Sequence, residues 1–344
     1  MAASPPQLLC AVACLTVLFV FAGAESIGIC YGRVADNLPP PDAVAGLLAA
    51  NNIHKLRMFD SDPAALNAFA NTPLELITAV PNEALPSLAA EPAAALQWLA
   101  ANVLPFYPAA HIKYIAVGNE IFLSSPQNAP FLVGAMRNLQ AALQSAGLQD
   151  AIKISSPHAA SVLANSFPPS QGAFDPAIVD TMKPFLEFLS ETGAPFMANI
   201  YPFFSYLGNR ADIPLEYALF ASPALFVDGG LPYSNLFDAT VDSLISAMEG
   251  VGRPGVRVVV TETGWPWAGS DGQAENVGNA MTYNVNLVKH VLSNAGTPKR
   301  PGVGVETYLF DLFNEDQKPG RDFERDFGLF YPTGQKVYDI NFSP

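Results

Sequence analysis

Val256-Arg257-Val258-Val259-Val260-Thr261-Glu262-Thr263-Gly264-Trp265-Pro266 is the stretch on which the fold turns. Its first half is apolar without alternation. Successive side chains of a strand point to opposite faces, so Val258, Val259 and Val260 need cover on both sides. A strand buried on both faces belongs to a parallel sheet layered with helices. The second half leaves the apolar run on a glutamate and breaks at Gly264 and Pro266, which puts Glu262 at the strand's C-terminal end.

Working outward from residues 256–261, seven more short apolar or β-branched runs recur, at 27–30, 55–58, 75–80, 112–117, 152–155, 196–200 and 303–309. Enough chain lies between successive runs for the crossover helix that parallel strands require. Asp62 before Pro63 reads as an N-cap with proline in the first turn, and Glu91-Pro92 opens a second helix. Leu132, Met136, Leu139 and Leu143 share one face at helical spacing, and residues 236–248 and 281–292 behave likewise. Eight strands with helices between them predict an α/β fold, a single-domain (β/α)₈ TIM barrel. An open doubly wound sheet would want a glycine-rich phosphate turn after its first strand, and Gly32-Arg33-Val34-Ala35-Asp36 is not one. No internal repeat or low-complexity linker divides the chain; Pro39-Pro40-Pro41 and Pro168-Pro169 read as rigid surface loops.

Residues 1–24 carry no charged side chain, residues 8–21 are apolar, and Ala22-Gly23-Ala24 forms a small-x-small cleavage site. This reads as a secretory signal peptide cut after Ala24, leaving residues 25–344 as the catalytic barrel, secreted and extracellular. The apolar run is short of the ~20 residues that span a bilayer, and the C-terminus has no hydrophobic tail, so no membrane anchor is expected. Cys10 and Cys14 leave with the signal; Cys30, alone in an apolar strand, reads as a buried and inert thiol. The 344 residues are half apolar and only 14% charged, which excludes a disordered chain. A net charge of −14 excludes the basic stripe that nucleic acid needs and disfavours anionic membrane surfaces.

Catalytic groups of a barrel leave the C-terminal ends of its strands. Val117-Gly118-Asn119-Glu120 follows the fourth run as Thr261-Glu262 follows the seventh, so two glutamates face each other across one barrel mouth. A carboxyl pair of this kind cleaves an acetal: one protonates the leaving oxygen, and the other attacks the anomeric carbon or activates water. Asn119 can donate to a sugar hydroxyl, and Trp265 and Trp267 offer flat faces for a sugar ring. Other chemistries find no support. His54, His111, His158 and His290 show no metal spacing, with His54 and His111 at strand starts and His158 just past the fifth run. No Gly-x-Ser-x-Gly elbow or phosphate loop occurs, so no metal or cofactor is expected.

Val117-Gly-Asn-Glu120 and Val260-Thr-Glu-Thr-Gly-Trp-Pro266 resemble the two signature segments of plant β-1,3-glucanases of glycoside hydrolase family 17. The likeness extends to Ile29-Cys-Tyr-Gly32, Leu56-Arg-Met-Phe59, Ala198-Asn-Ile-Tyr-Pro202, Glu306-Thr-Tyr308, Phe313-Asn-Glu-Asp-Gln-Lys318 and Phe327-Gly-Leu-Phe330, in order over the whole mature chain. The resemblance implies a (β/α)₈ barrel and endo-hydrolysis of β-1,3-glucan, callose or fungal wall glucan, with retention of configuration. It implies Glu120 as general acid/base and Glu262 as nucleophile, with Glu315, Lys318 and Glu324 in support. It places Asn119, Tyr31, Phe59, Asn199, Tyr201 and Trp265 along the substrate groove. Phe59 stands where tyrosine is common in the family, Thr263 where serine is, Asp316 where asparagine is, and Trp267 where a smaller residue is. The expected partner is a β-glucan polysaccharide and the expected state a monomer. A β-1,3-1,4-glucanase and a glucan-binding barrel without catalysis remain alternatives.

Overall fold

The computed structural model describes residues 27–343, so the signal-peptide reading of residues 1–24 lies outside the described residues. Nine parallel strands form one sheet: β1 (Gly28–Tyr31), β2 (Lys55–Met58), β3 (Glu75–Val80), β4 (His111–Val117), β5 (Lys153–Ser155), β6 (Pro157–Ala159), β7 (Phe196–Asn199), β8 (Val258–Thr263) and β9 (Thr307–Leu309). Their order is β5-β4-β3-β2-β1-β9-β8-β7-β6. β5 pairs with β4 and β6 pairs with β7, and only Ser156 separates β5 from β6. The two are therefore one stave bent at Ser156, and the chain itself joins the two ends of the sheet. Eight staves alternating with helices make the (β/α)₈ barrel that the apolar runs predict.

The differences from the sequence reading are local. The fifth strand continues past 155, so His158 lies within the barrel wall, not beyond its end. It is wholly buried, with its ring 5.1 Å from Phe122 and 4.9 Å from Phe185. Burial among these rings pulls the imidazole pKa down to about 3, which keeps it neutral. The eighth strand is shorter than expected, beginning at Thr307, and Val303, at the start of the expected run, is exposed and outside the sheet. The helix signals translate directly. Asp62 accepts the Ala65 N–H at 2.8 Å as a cap, worth about 1 kcal/mol. Leu132, Met136, Leu139 and Leu143 are all buried on helix Leu132–Ser145, each contributing roughly 1.5–3 kcal/mol.

The N-terminal end of the barrel is closed around one buried carboxylate. Glu306, just before β9, accepts from the hydroxyls of Tyr114 at 3.1 Å and Tyr308 at 3.0 Å. Lys113 Nζ lies 3.3 Å away, Arg257 Nη1 3.5 Å and Lys55 Nζ 4.0 Å. Burial works against its ionisation, but the three cations outweigh it and hold its pKa below the ordinary value.

Candidate active site

The C-terminal end opens into a cleft of about 1990 Å³. Local backbone devices aim both glutamates into it. After β4 the chain turns through Gly118 at φ 69° and Glu120 at φ 50°, both left-handed. Gly118 has to be glycine: a Cβ there would stand 2.8 Å from Ile121 Cδ1 and 2.9 Å from Asn82 Oδ1. On β8 the register slips between Val260 and Glu262 against β7, and between Val260 and Thr263 against β9. This bulge re-aims a strand side chain, as bulges beside active sites do.

Asn199, at the end of β7, ties the pair together. Its Nδ2 donates at 2.9 Å to Glu120 Oε1 and at 2.9 Å to Glu262 Oε1. Those two oxygens are therefore no further apart than twice that distance. Glu262 also accepts from the Tyr201 hydroxyl at 2.8 Å and pairs with Arg57 Nη1 at 2.8 Å. Three donors converge on it, the company of an ionised carboxylate. Arg57 is itself 1% exposed and donates to Asn199 Oδ1, Asn119 Oδ1 and the Thr261 carbonyl. Its guanidinium carbon lies 4.5 Å from the centroid of Phe59. Glu120 has fewer donors. Burial, and then the negative charge of Glu262, push its pKa up to about 7, against the opposing pull of Asn199, Arg57 and Lys318. The site thus holds one carboxylate poised to attack and one carboxyl poised to give a proton.

A second acidic group flanks the pair. Lys318 Nζ is 3.2 Å from Glu315 Oε2 and 3.9 Å from Glu324 Oε2, and sits 4.2 Å over the Phe310 ring. Burial disfavours its charge, but Glu315, Glu262, Glu324 and Asp311 outweigh that and raise its pKa. Glu315 Oε1 accepts the Val34 N–H at 3.0 Å. Asp311 lies fully buried beside it and accepts from the N–H groups of Gly32 and Leu312. Burial and the neighbouring Glu315 hold the Asp311 pKa well above the usual carboxylate range. Gly32 has no room for a side chain, because a Cβ would run into both of these carboxyls.

Of the residues singled out from sequence, Glu120, Glu262, Glu315, Lys318, Glu324, Asn119, Tyr31, Phe59, Asn199 and Tyr201 all line the one cleft. Trp265 does not, and its expected place as a sugar platform is corrected. It has no accessible surface, its Nε1 donates 2.8 Å to the Ala274 carbonyl, and its ring packs against Phe203 and Tyr283. The indole fills the seam between helices Pro202–Gly208 and Val277–Leu292, so no sugar can reach its face. Trp267 is half-buried, bonded to Asn314 Oδ1 at 3.2 Å, and likewise off the cleft. Exposed aromatic surface along the cleft comes instead from Phe167 and Phe204, which the sequence reading missed, as it missed Arg57 and Asp311. For Arg57 a signal was there: a charge in the middle of a four-residue strand whose every position is buried demands a buried partner. Among the described residues no group of three His, Cys, Asp or Glu side chains is placed to hold a metal ion, and no helix is long and apolar enough to cross a membrane.

A barrel whose mouth carries two bridged carboxyls of opposite tendency, over an open cleft, has the layout of a glycoside hydrolase. Comparison with known proteins agrees. The model of glycosyl hydrolases family 17 matches residues 27–342. A glucan endo-1,3-beta-glucosidase of Zea mays, acidic isoform, is 49% identical over 323 residues, 93% of this chain and 92% of that protein. A probable glucan endo-1,3-beta-glucosidase of Arabidopsis thaliana is 47% identical over 338 residues, 98% and 96% of the two chains. The solved structure of a beta-1,3-glucanase and allergen of Cryptomeria japonica pollen superimposes with a TM-score of 0.89 at 51% identity, covering 93% of this chain and 99% of that one. The chain is a glycoside hydrolase and belongs to glycosyl hydrolases family 17.

Proposed function

We propose that the protein is a secreted endo-hydrolase that cleaves internal β-1,3-glucosidic bonds of β-1,3-glucans, callose and fungal wall glucan among them, with retention of configuration. The observation that carries the reading is the single Asn199 Nδ2 within 2.9 Å of both Glu120 and Glu262. Carboxyls this close match the ~5–5.5 Å of retaining pairs and leave too little room for the water that inverting pairs hold at ~6.5–9.5 Å.

In the first step a Glu262 oxygen bonds to the anomeric carbon as the glycosidic C–O bond breaks, and the Glu120 carboxyl proton passes to the departing oxygen. In the second, water attacks the same carbon, its proton returns to Glu120, and the bond to Glu262 breaks. Arg57 and Tyr201 hold the nucleophile still. Lys318, between Glu315 and Glu324, keeps positive charge beside this acidic mouth. Asn119, Asn199, Tyr31, Phe59 and Tyr201 contact the sugar chain. A cleft, not a closed pocket, suits attack within a polymer. The similarity to named glucan endo-1,3-beta-glucosidases supports the linkage, and the charge-free, apolar N-terminus supports secretion.

The test is reducing-sugar release from linear β-1,3-glucan, mixed-linkage glucan and cellulose, beside Glu262→Ala. Release from β-1,3-glucan alone, absent in the variant, is expected. Preference for mixed-linkage glucan would overturn the linkage. Binding without release would overturn catalysis itself. Following the anomeric configuration of the first product by NMR tests retention.

A further inference from the structure

Glu120 is held in a left-handed backbone conformation, φ 50° and ψ 42°, which costs a residue with a side chain about 1–2 kcal/mol. Something must impose it. Asn82, in the short turn after β3, grips the neighbouring residue from both sides. Its Oδ1 accepts the Asn119 N–H at 2.7 Å and its Nδ2 donates to the Asn119 carbonyl at 3.1 Å. The same Nδ2 reaches the hydroxyls of Ser124 and Ser125, each at 3.2 Å. These lie at the far end of the helical turn Ile121–Ser124 that Glu120 opens. Asn82 is fixed in return, because Asn128 Nδ2 donates to its carbonyl at 3.0 Å. Gly118 lets it come this close.

We infer that Asn82, which does not line the cleft, is the positioning residue that holds Glu120 on line with the scissile oxygen. Only asparagine meets the demand. Asp has no donor for the Asn119 carbonyl, and Gln is one methylene too long for the reach. Asn119 gains from the same grip, since its Oδ1 is thereby presented to Arg57 and Asn199. The inference rests on the reading of Glu120 as the acid, and the experiment separates the two.

Wild type, Asn82→Ala, Asn82→Asp and Glu120→Ala are compared on β-1,3-gluco-oligosaccharides and on dinitrophenyl β-laminaribioside. The dinitrophenolate departs without a proton, so kcat/KM on this substrate does not need an acid. Glu120→Ala should lose about 10²-fold or more on the oligosaccharides and little on the aryl glycoside. Asn82→Ala should show the same split at smaller amplitude, about tenfold against less than about threefold. Asn82→Asp, which keeps the acceptor for the Asn119 N–H, should fall between Asn82→Ala and wild type. Azide attacks the anomeric carbon without a base, and should speed turnover of the aryl glycoside by Glu120→Ala and Asn82→Ala. Equal losses of the Asn82 variants on both substrates, or loss on neither, overturn the inference. If Glu120→Ala itself loses equally on both, the acid assignment is what fails and the role of Asn82 falls with it. That outcome is recognisable because the Glu120 variant breaks the pattern.

Discussion

The two ends of the barrel bury glutamates in opposite company. At the base, Glu306 meets Lys55, Lys113 and Arg257 and two phenol hydroxyls, with Glu75 sharing Lys113 at 2.9 Å. At the mouth, Glu120, Glu262, Glu315, Glu324 and Asp311 share Arg57 and Lys318. A surplus of cations makes the base a fastener whose carboxylate stays charged. A surplus of carboxyls makes the mouth retain protons, on Glu120 at about pH 7 and on Asp311 well above the usual range. The same residue type serves stability where its charge is satisfied and chemistry where it is not.

Glu262→Ala is expected to lower hydrolysis roughly 10⁴-fold while the melting temperature stays near that of the wild type; a collapsed fold would make the mouth as structural as the base. Glu306→Gln is expected to do the reverse. It removes the buried carboxylate that Lys55, Lys113 and Arg257 share and costs about 3–5 kcal/mol by denaturant titration at neutral pH, with kcat per folded molecule unchanged.

The pH dependences should be mirror images. The Glu306 pKa is lowered, so its contribution is present above the ordinary glutamate value of 4.5 and is lost as pH falls through the lowered one. The Glu120 pKa is raised, so its contribution is complete below 4.5 and is lost as pH rises through about 7. Glu120→Gln should therefore raise the melting temperature relative to wild type at pH 8 and not at pH 4. In the wild type, kcat/KM should decline above about pH 7 as the acid deprotonates. A rate–pH profile flat to pH 9 would remove Glu120 from the acid's role. The smallest effect is Tyr201→Phe, which removes one of the three donors on Glu262. About 1–1.5 kcal/mol, near tenfold in kcat, is expected.

How much of this was legible in the sequence depended on how local its cause was. Val258-Val259-Val260 announced a strand covered on both faces, and eight such runs sufficed for the barrel. Glu120 and Glu262 were legible because strand ends put them at the mouth by rule. Trp265 misled because Glu262-Thr263-Gly264-Trp265 is close along the chain, and nothing local tells that the indole turns inward to Phe203 and Tyr283. The break at Ser156 was hidden for a similar reason, since which neighbour each half pairs with is decided far away, at β4 and β7. Asn82 lies 37 residues before Asn119, and no spacing rule links a turn after one strand to a turn after the next.

Asn199 gives the site a spectroscopic address. One side-chain nitrogen touches both the carboxyl that should titrate near neutrality, Glu120, and the attacking carboxylate, Glu262. Labelled with nitrogen-15, that single amide resonance would follow the proton on Glu120 through a pH series and register the loss of charge on Glu262 when a glycosyl group is trapped there. The catalytic cycle can thus be read from a residue at which no covalent bond forms or breaks, without modifying either glutamate.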